Sequence, residues 1–198
     1  MSVHTIPVPE RLGLQATLEL VQQIQQCPEA GAYSVDFTRL TWVEPFGLLL
    51  VSHALRELRN RYPAATYTPV IPMSPACSYA QHVGFFTEAG FSDIPAPDPK
   101  ADTYLPITTR ACVDLGDSHH ASEIAQHLAK QLLHVEEGAE LDAIAYAFQE
   151  VLRNVVEHSE SEVVRYCAQY WQRGPSKGMV EITLMDNERY WSFAVAAP

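Results

Sequence analysis

No stretch of this chain approaches the roughly 18 to 20 consecutive apolar residues needed to cross a bilayer. Its first residues, Met-Ser-Val-His-Thr-Ile-Pro, hold neither a basic region nor an apolar signal core. A cytoplasmic protein without a membrane segment is therefore expected. Cysteine is scarce: Cys27, Cys77, Cys112 and Cys167 are widely scattered, with no metal-type pairing. They read as reduced, mostly buried thiols. Basic side chains are scarce too, with 13 Lys and Arg against 24 Asp and Glu, a formal charge of −11. Residues 1–110 carry 7 basic and 10 acidic side chains, whereas residues 111–198 carry 6 and 14. Neither half has the dense basic stripe that phosphate backbones require, which argues against direct nucleic-acid binding. The acidic second half repels a free nucleotide, so one bound there would need its magnesium. A basic protein partner suits this surface better, and a homo-oligomer is compatible with it. Internal repeats and low-complexity tracts are absent.

What is present is an ordinary globular composition, 47% apolar and 10% aromatic over 198 residues, enough for one large domain or two small ones. The first part alternates strand and helix signals. Val3 to Val8 is a short extended start. Leu14 to Gln26 is amphipathic, with Leu18, Val21 and Ile24 on one side, and Pro28 and Gly31 follow as stop signals. Tyr33 to Phe37 and Ala65 to Ile71 read as strands. Phe46 to Arg61 reads as a long helix closed by Pro63, and Ser78 to Ala89 as a further helix ending at Gly90. Strands separated by helices imply a mainly parallel sheet with helical cover. The run Ile94-Pro-Ala-Pro-Asp-Pro-Lys-Ala-Asp-Thr103 has three prolines at alternate positions and reads as a stiff connector. It divides the chain into domains 1–100 and 101–198.

The second domain opens with Tyr104 to Leu115 as mostly extended chain. A helix start at Asp117 leads to Ile124, Leu128 and Leu132 on one face, and Gly138 separates it from the next helix. Val163 to Trp171 and Met179 to Met185 are strand-like and joined as a hairpin. Between them and Gly138, apolar residues recur at Leu141, Ile144, Ala145, Phe148, Val151, Leu152 and Val155, a helical stripe. Glu150, Asn154 and His158 stand four residues apart and form a polar row on another face of that helix. A carboxylate, an amide and an imidazole so placed can polarise water and hold a hydrated metal ion; a solvated helix face has the same pattern.

Two resemblances extend this reading. Tyr33-Ser-Val-Asp-Phe-Thr-Arg-Leu-Thr-Trp-Val-Glu-Pro-Phe-Gly47, the following long helix and His82-Val-Gly-Phe-Phe-Thr-Glu-Ala-Gly-Phe-Ser-Asp-Ile94 resemble the STAS fold of anti-sigma-factor antagonists and sulfate-transporter tails. The resemblance covers about the first 95 residues. It implies a mixed or parallel sheet with helices and a protein partner. The chain departs from the family at Glu44-Pro45-Phe46-Gly47, where STAS antagonists carry Asp-Ser-Ser-Gly. Pro45 and Phe46 offer no hydroxyl for phosphorylation, and Thr38 and Thr41 are out of register.

Phe148-Gln-Glu-Val-Leu-Arg-Asn-Val-Val-Glu-His-Ser159 resembles the asparagine box of the histidine-kinase-type (GHKL) ATPases, closest to the anti-sigma, serine-kinase-like branch with its pattern E-x-x-x-N-x-x-x-H. The resemblance implies that Glu150 activates or orients water near the γ-phosphate. It also implies that Asn154 joins Mg²⁺ to the triphosphate of ATP, and that His158 closes the motif. Mg²⁺ favours oxygen ligands and is shared between protein and phosphates. Asp186, delivered by the strand Val180 to Met185, matches the aspartate of the family's D-x-G-x-G, which binds the adenine amino group, and Asn187 follows as in many relatives. Glu188 and Tyr190, however, occupy the glycine positions. The chain stops at Pro198, before the lid and second glycine-rich loop of the family. Asp186-Asn187 also fits a plain hairpin turn into a third strand, Tyr190 to Val195.

The expected fold is thus α/β, a STAS-like domain followed by a partial α+β ATP-binding sandwich of GHKL type. The implied function is that of a bacterial signalling protein of partner-switching type, with sigma- or anti-sigma-like protein partners and impaired ATP and Mg binding. The alternative is a non-catalytic interaction module that has lost the nucleotide. Two further clusters have little chemical promise. His120, His127 and His134 lie two helical turns apart, too far for one ion on a straight helix. Cys77, Ser78 and His82 lack an activating third group.

Overall fold

Val3–Pro7 (β1), Ala32–Asp36 (β3) and Thr66–Val70 (β5) form a parallel sheet in the order β1-β3-β5. The structure is a computed structural model and describes residues 2–97, 103–115, 118–158, 161–172, 176–186 and 190–196. The chain divides into two units, Met1–Pro99 and Lys100–Pro198. Among the described residues it is mixed α/β, and no helix is long and apolar enough to cross a membrane.

In the first unit the strands alternate as half-buried strands should. Ile6, Tyr33 and Val35 are buried, while Val3, Thr5 and Pro7 of β1 and Thr66, Thr68 and Val70 of β5 are exposed. Val8 N–H donates to the Asp36 carbonyl at 2.8 Å, and Thr66 N–H to the Gly31 carbonyl at 3.1 Å. That phase turns the peptide groups of Pro7 and Pro69 to the outer edges of the sheet. Proline has no N–H to present there, so both edges are blunted against further strand pairing.

Two short strands, Arg11–Leu12 (β2) and Trp42–Val43 (β4), pair in parallel. Each runs directly into a helix: Leu14–Gln25 (α1) and Pro45–Arg61 (α2). Their pairing sets the helix starts side by side, and neither strand is evident from the sequence pattern. Proline suits the first helical position because the missing N–H would be unbonded there anyway. Gly47 is needed on packing grounds: a Cβ there would lie 2.6 Å from the Leu12 carbonyl oxygen and 2.9 Å from Thr17 Oγ1. The buried stripe of α1 is Thr17, Leu20 and Ile24. Leu18 and Val21, expected inside, are only half-buried, because close approach of α2 turns α1 toward Thr17.

The single helix expected over Ser78 to Ala89 is two: Pro75–His82 (α3) and Phe85–Glu88 (α4). Gly84, at φ +86°, breaks it, a left-handed conformation that glycine adopts at no steric cost. The break turns Phe85 and Phe86 inward onto Phe37, with ring centroids 5.7 and 5.3 Å away, edge to face. Arg59 of α2 lies between the rings of Tyr67 (4.4 Å) and Phe91 (4.6 Å). Tyr33 stacks on Tyr67, 5.1 Å between centroids.

In the second unit, Tyr104–Ala111 (β6), Val163–Trp171 (β7), Met179–Met185 (β8) and Tyr190–Ala196 (β9) form an antiparallel sheet in chain order. The pairing of β6 shifts between Leu105 and Thr108, around Pro106, which lacks the ladder N–H. Strand does not continue to Leu115 as expected: Cys112–Leu115 is a 3-10 turn. Helices Ser118–Leu133 (α5) and Ala139–His158 (α6) share one core with the sheet. Leu128 and Leu132 of α5 and Ile144, Phe148, Leu152 and Val155 of α6 meet Val164, Tyr166, Val180, Ile182 and Leu184.

Candidate functional site

The register of the second sheet collects several chemically able residues at one end. Ala111, the last residue of β6, pairs with Val163, the first of β7. Met185, the last residue of β8, pairs with Arg165 and with Tyr190, the first of β9. Cys112, Glu162 and Asp186 therefore continue the chain at the same end, and Cys112 N–H donates to the Glu162 carbonyl at 2.8 Å. Helix α6 also finishes there, because residues 159–162 alone link His158 to Val163. Five residues of extended chain span at most about 17 Å. Helix α6 thus brings the C-terminal part of its polar row toward the end of the sheet that holds Asp186.

The residues of that row differ in their surroundings. Most of the apolar stripe of α6 is buried as the periodicity predicts: Leu141, Ile144, Ala145, Phe148, Leu152 and Val155 are each under 7% exposed, while Val151 at its margin is only partly buried. Asn154 is exposed and Glu150 half-buried. The Glu150 carboxylate is engaged: Arg153 Nη2 donates to its Oε2 at 2.7 Å, and Arg153 Nε lies 3.7 Å from Glu157 Oε1. Arg153 was not singled out from the sequence, although its i,i+3 and i,i+4 spacing to the two glutamates was a visible signal. His158 is the last residue of α6, and Asn187 and Glu188 lie outside the described residues.

Asp186 is buried, 2% exposed, at the mouth of the sheet. Burial pushes the Cys112 thiol up, and the negative charge of Asp186 adds to the effect. No sequence signal links these two residues, which only the sheet register brings near. Among the described residues no three His, Cys, Asp or Glu side chains form a metal cluster. A cation at Asn154 would thus depend on waters and phosphate oxygens for its remaining ligands, which is how Mg²⁺ is commonly held. Asn154 and Asp186 each offer an oxygen of the kind a magnesium nucleotide would need, whereas the Glu150 carboxylate is already tied to Arg153.

Elsewhere the structure removes chemistry. His82 Nδ1 lies 2.7 Å from the Ser78 carbonyl oxygen, so its ring engages the backbone of α3. Burial raises the Cys77 thiol, leaving no activated nucleophile there. His127 and His134 are exposed, and His134 has already left α5. In the first unit, Pro45 and Phe46 are both buried in α2. Thr38 N–H donates to Asp36 Oδ1 at 2.9 Å, and hydrogen bonds from Thr38 lower the Asp36 carboxyl. Thr41 Oγ1 donates to the Glu10 carbonyl at 3.1 Å.

The chain matches no protein-family model, no curated protein and no solved structure.

Proposed function

We propose that this chain is a signalling regulator of partner-switching type whose second unit offers a weak site for a magnesium nucleotide. The observation that supports the reading is that α6, which carries Asn154 one turn before its last residue, ends a four-residue link away from the end of the antiparallel sheet that holds the buried Asp186. In this reading Asn154 meets the magnesium and Asp186 accepts from the adenine amino group. The first unit, STAS-like by its sequence pattern, meets a protein partner.

Affinity is low for a chemical reason. By the resemblance, Glu188 and Tyr190 replace the glycines of the D-x-G-x-G motif, which would let the backbone turn tightly and approach the ligand. Charge-assisted bonds are worth about 1.5 to 3 kcal/mol each, so losing two or three weakens binding by several powers of ten. Hydrolysis is not expected, because the phosphates would be poorly held; the pairing of the Glu150 carboxylate with Arg153 is a second, lesser obstacle. That same ion pair favours the second reading, a protein-interaction module that no longer uses nucleotide.

Calorimetric titration of the intact chain with Mg·ATP separates the two. Weak binding that loses its magnesium dependence in Asn154→Ala, and its preference for adenine in Asp186→Ala, supports the first reading. No heat at millimolar nucleotide leaves the interaction module. Micromolar affinity unchanged by both substitutions would sink the assignment of the site.

A further inference from the structure

We draw no further inference here: the strongest candidate, the open cavity of about 510 Å³ at the N-terminal ends of β1, β3 and β5, carries nothing because the Arg61 guanidinium on its wall already donates to the Gln25 carbonyl at 2.7 Å, Glu29 sets the opposite charge beside it, and nothing else in its lining selects a ligand.

Discussion

Cys112 and Asp186 lie within electrostatic reach of each other at one end of the second sheet, and the carboxylate adds to burial in raising the thiol. A raised thiol is less thiolate at neutral pH and reacts more slowly. Asp186→Asn removes the charge while keeping the size, so iodoacetamide should modify Cys112 faster in the variant. Peptide mapping of the labelled chain checks this. Buried Cys167, pushed far up by desolvation, should stay unmodified in both until the protein unfolds. Equal Cys112 rates would mean that the two groups do not sense each other.

Gly47 is expected to tolerate no side chain. Alanine normally gains about 1 kcal/mol over glycine inside a helix. Here its Cβ would press on the Leu12 carbonyl oxygen at 2.6 Å and the Leu12 Cβ at 2.9 Å. Backbone cannot swing aside as a flexible side chain does, and overpacking costs about 1 to 3 kcal/mol. Urea denaturation of Gly47→Ala should show a net loss of stability. A gain would mean that α1 and α2 separate readily.

His134 follows α5 with φ +57°, a left-handed position that glycine fills without strain. Its own N–H bonds back to the Lys130 carbonyl at 2.9 Å, and the side chain is exposed. Replacing it by glycine should therefore stabilise the second unit by up to about 1 kcal/mol. A β-branched residue such as valine should destabilise it. Thermal unfolding of His134→Gly and His134→Val, read side by side, checks the sign of both.

Arg153→Ala leaves Glu150 without its 2.7 Å partner. Because the arginine is 52% exposed and the glutamate 28% exposed, solvent screens the pair. The change in stability should stay below about 1 kcal/mol. Phosphate release from Mg·ATP should remain at background, since the phosphate surroundings are unchanged. Measurable turnover in Arg153→Ala, abolished again by adding Glu150→Gln, would instead show that the ion pair alone had silenced the site.

Much of this architecture is already written in local patterns. The stripe from Leu141 to Val155 fixes α6 and its buried face, because a 3.6-residue repeat of apolar side chains has one compact solution. The strand-like runs Val163 to Trp171 and Met179 to Met185, joined as a hairpin, also place β7 and β8. Spacing likewise placed Glu150, Asn154 and His158 on one side of a helix. Where local signals were short or depended on a neighbour, the reading shifted. The two-residue strands β2 and β4 exist only because each pairs with the other. The inward turn of Thr17 follows from the approach of α2 at Gly47. The break at Gly84 depends on one backbone angle that glycine permits but does not demand. Charge relationships were the least legible. That Arg153 holds Glu150 needed side-chain geometry, and that Asp186 is buried beside Cys112 needed the register of three strands. Periodicity is a property of neighbours in sequence, so the sequence alone determined the long helices α1, α2, α5 and α6 and the hairpin of β7 and β8. Proximity between distant residues is a property of the packed fold, and only the tertiary structure decided it.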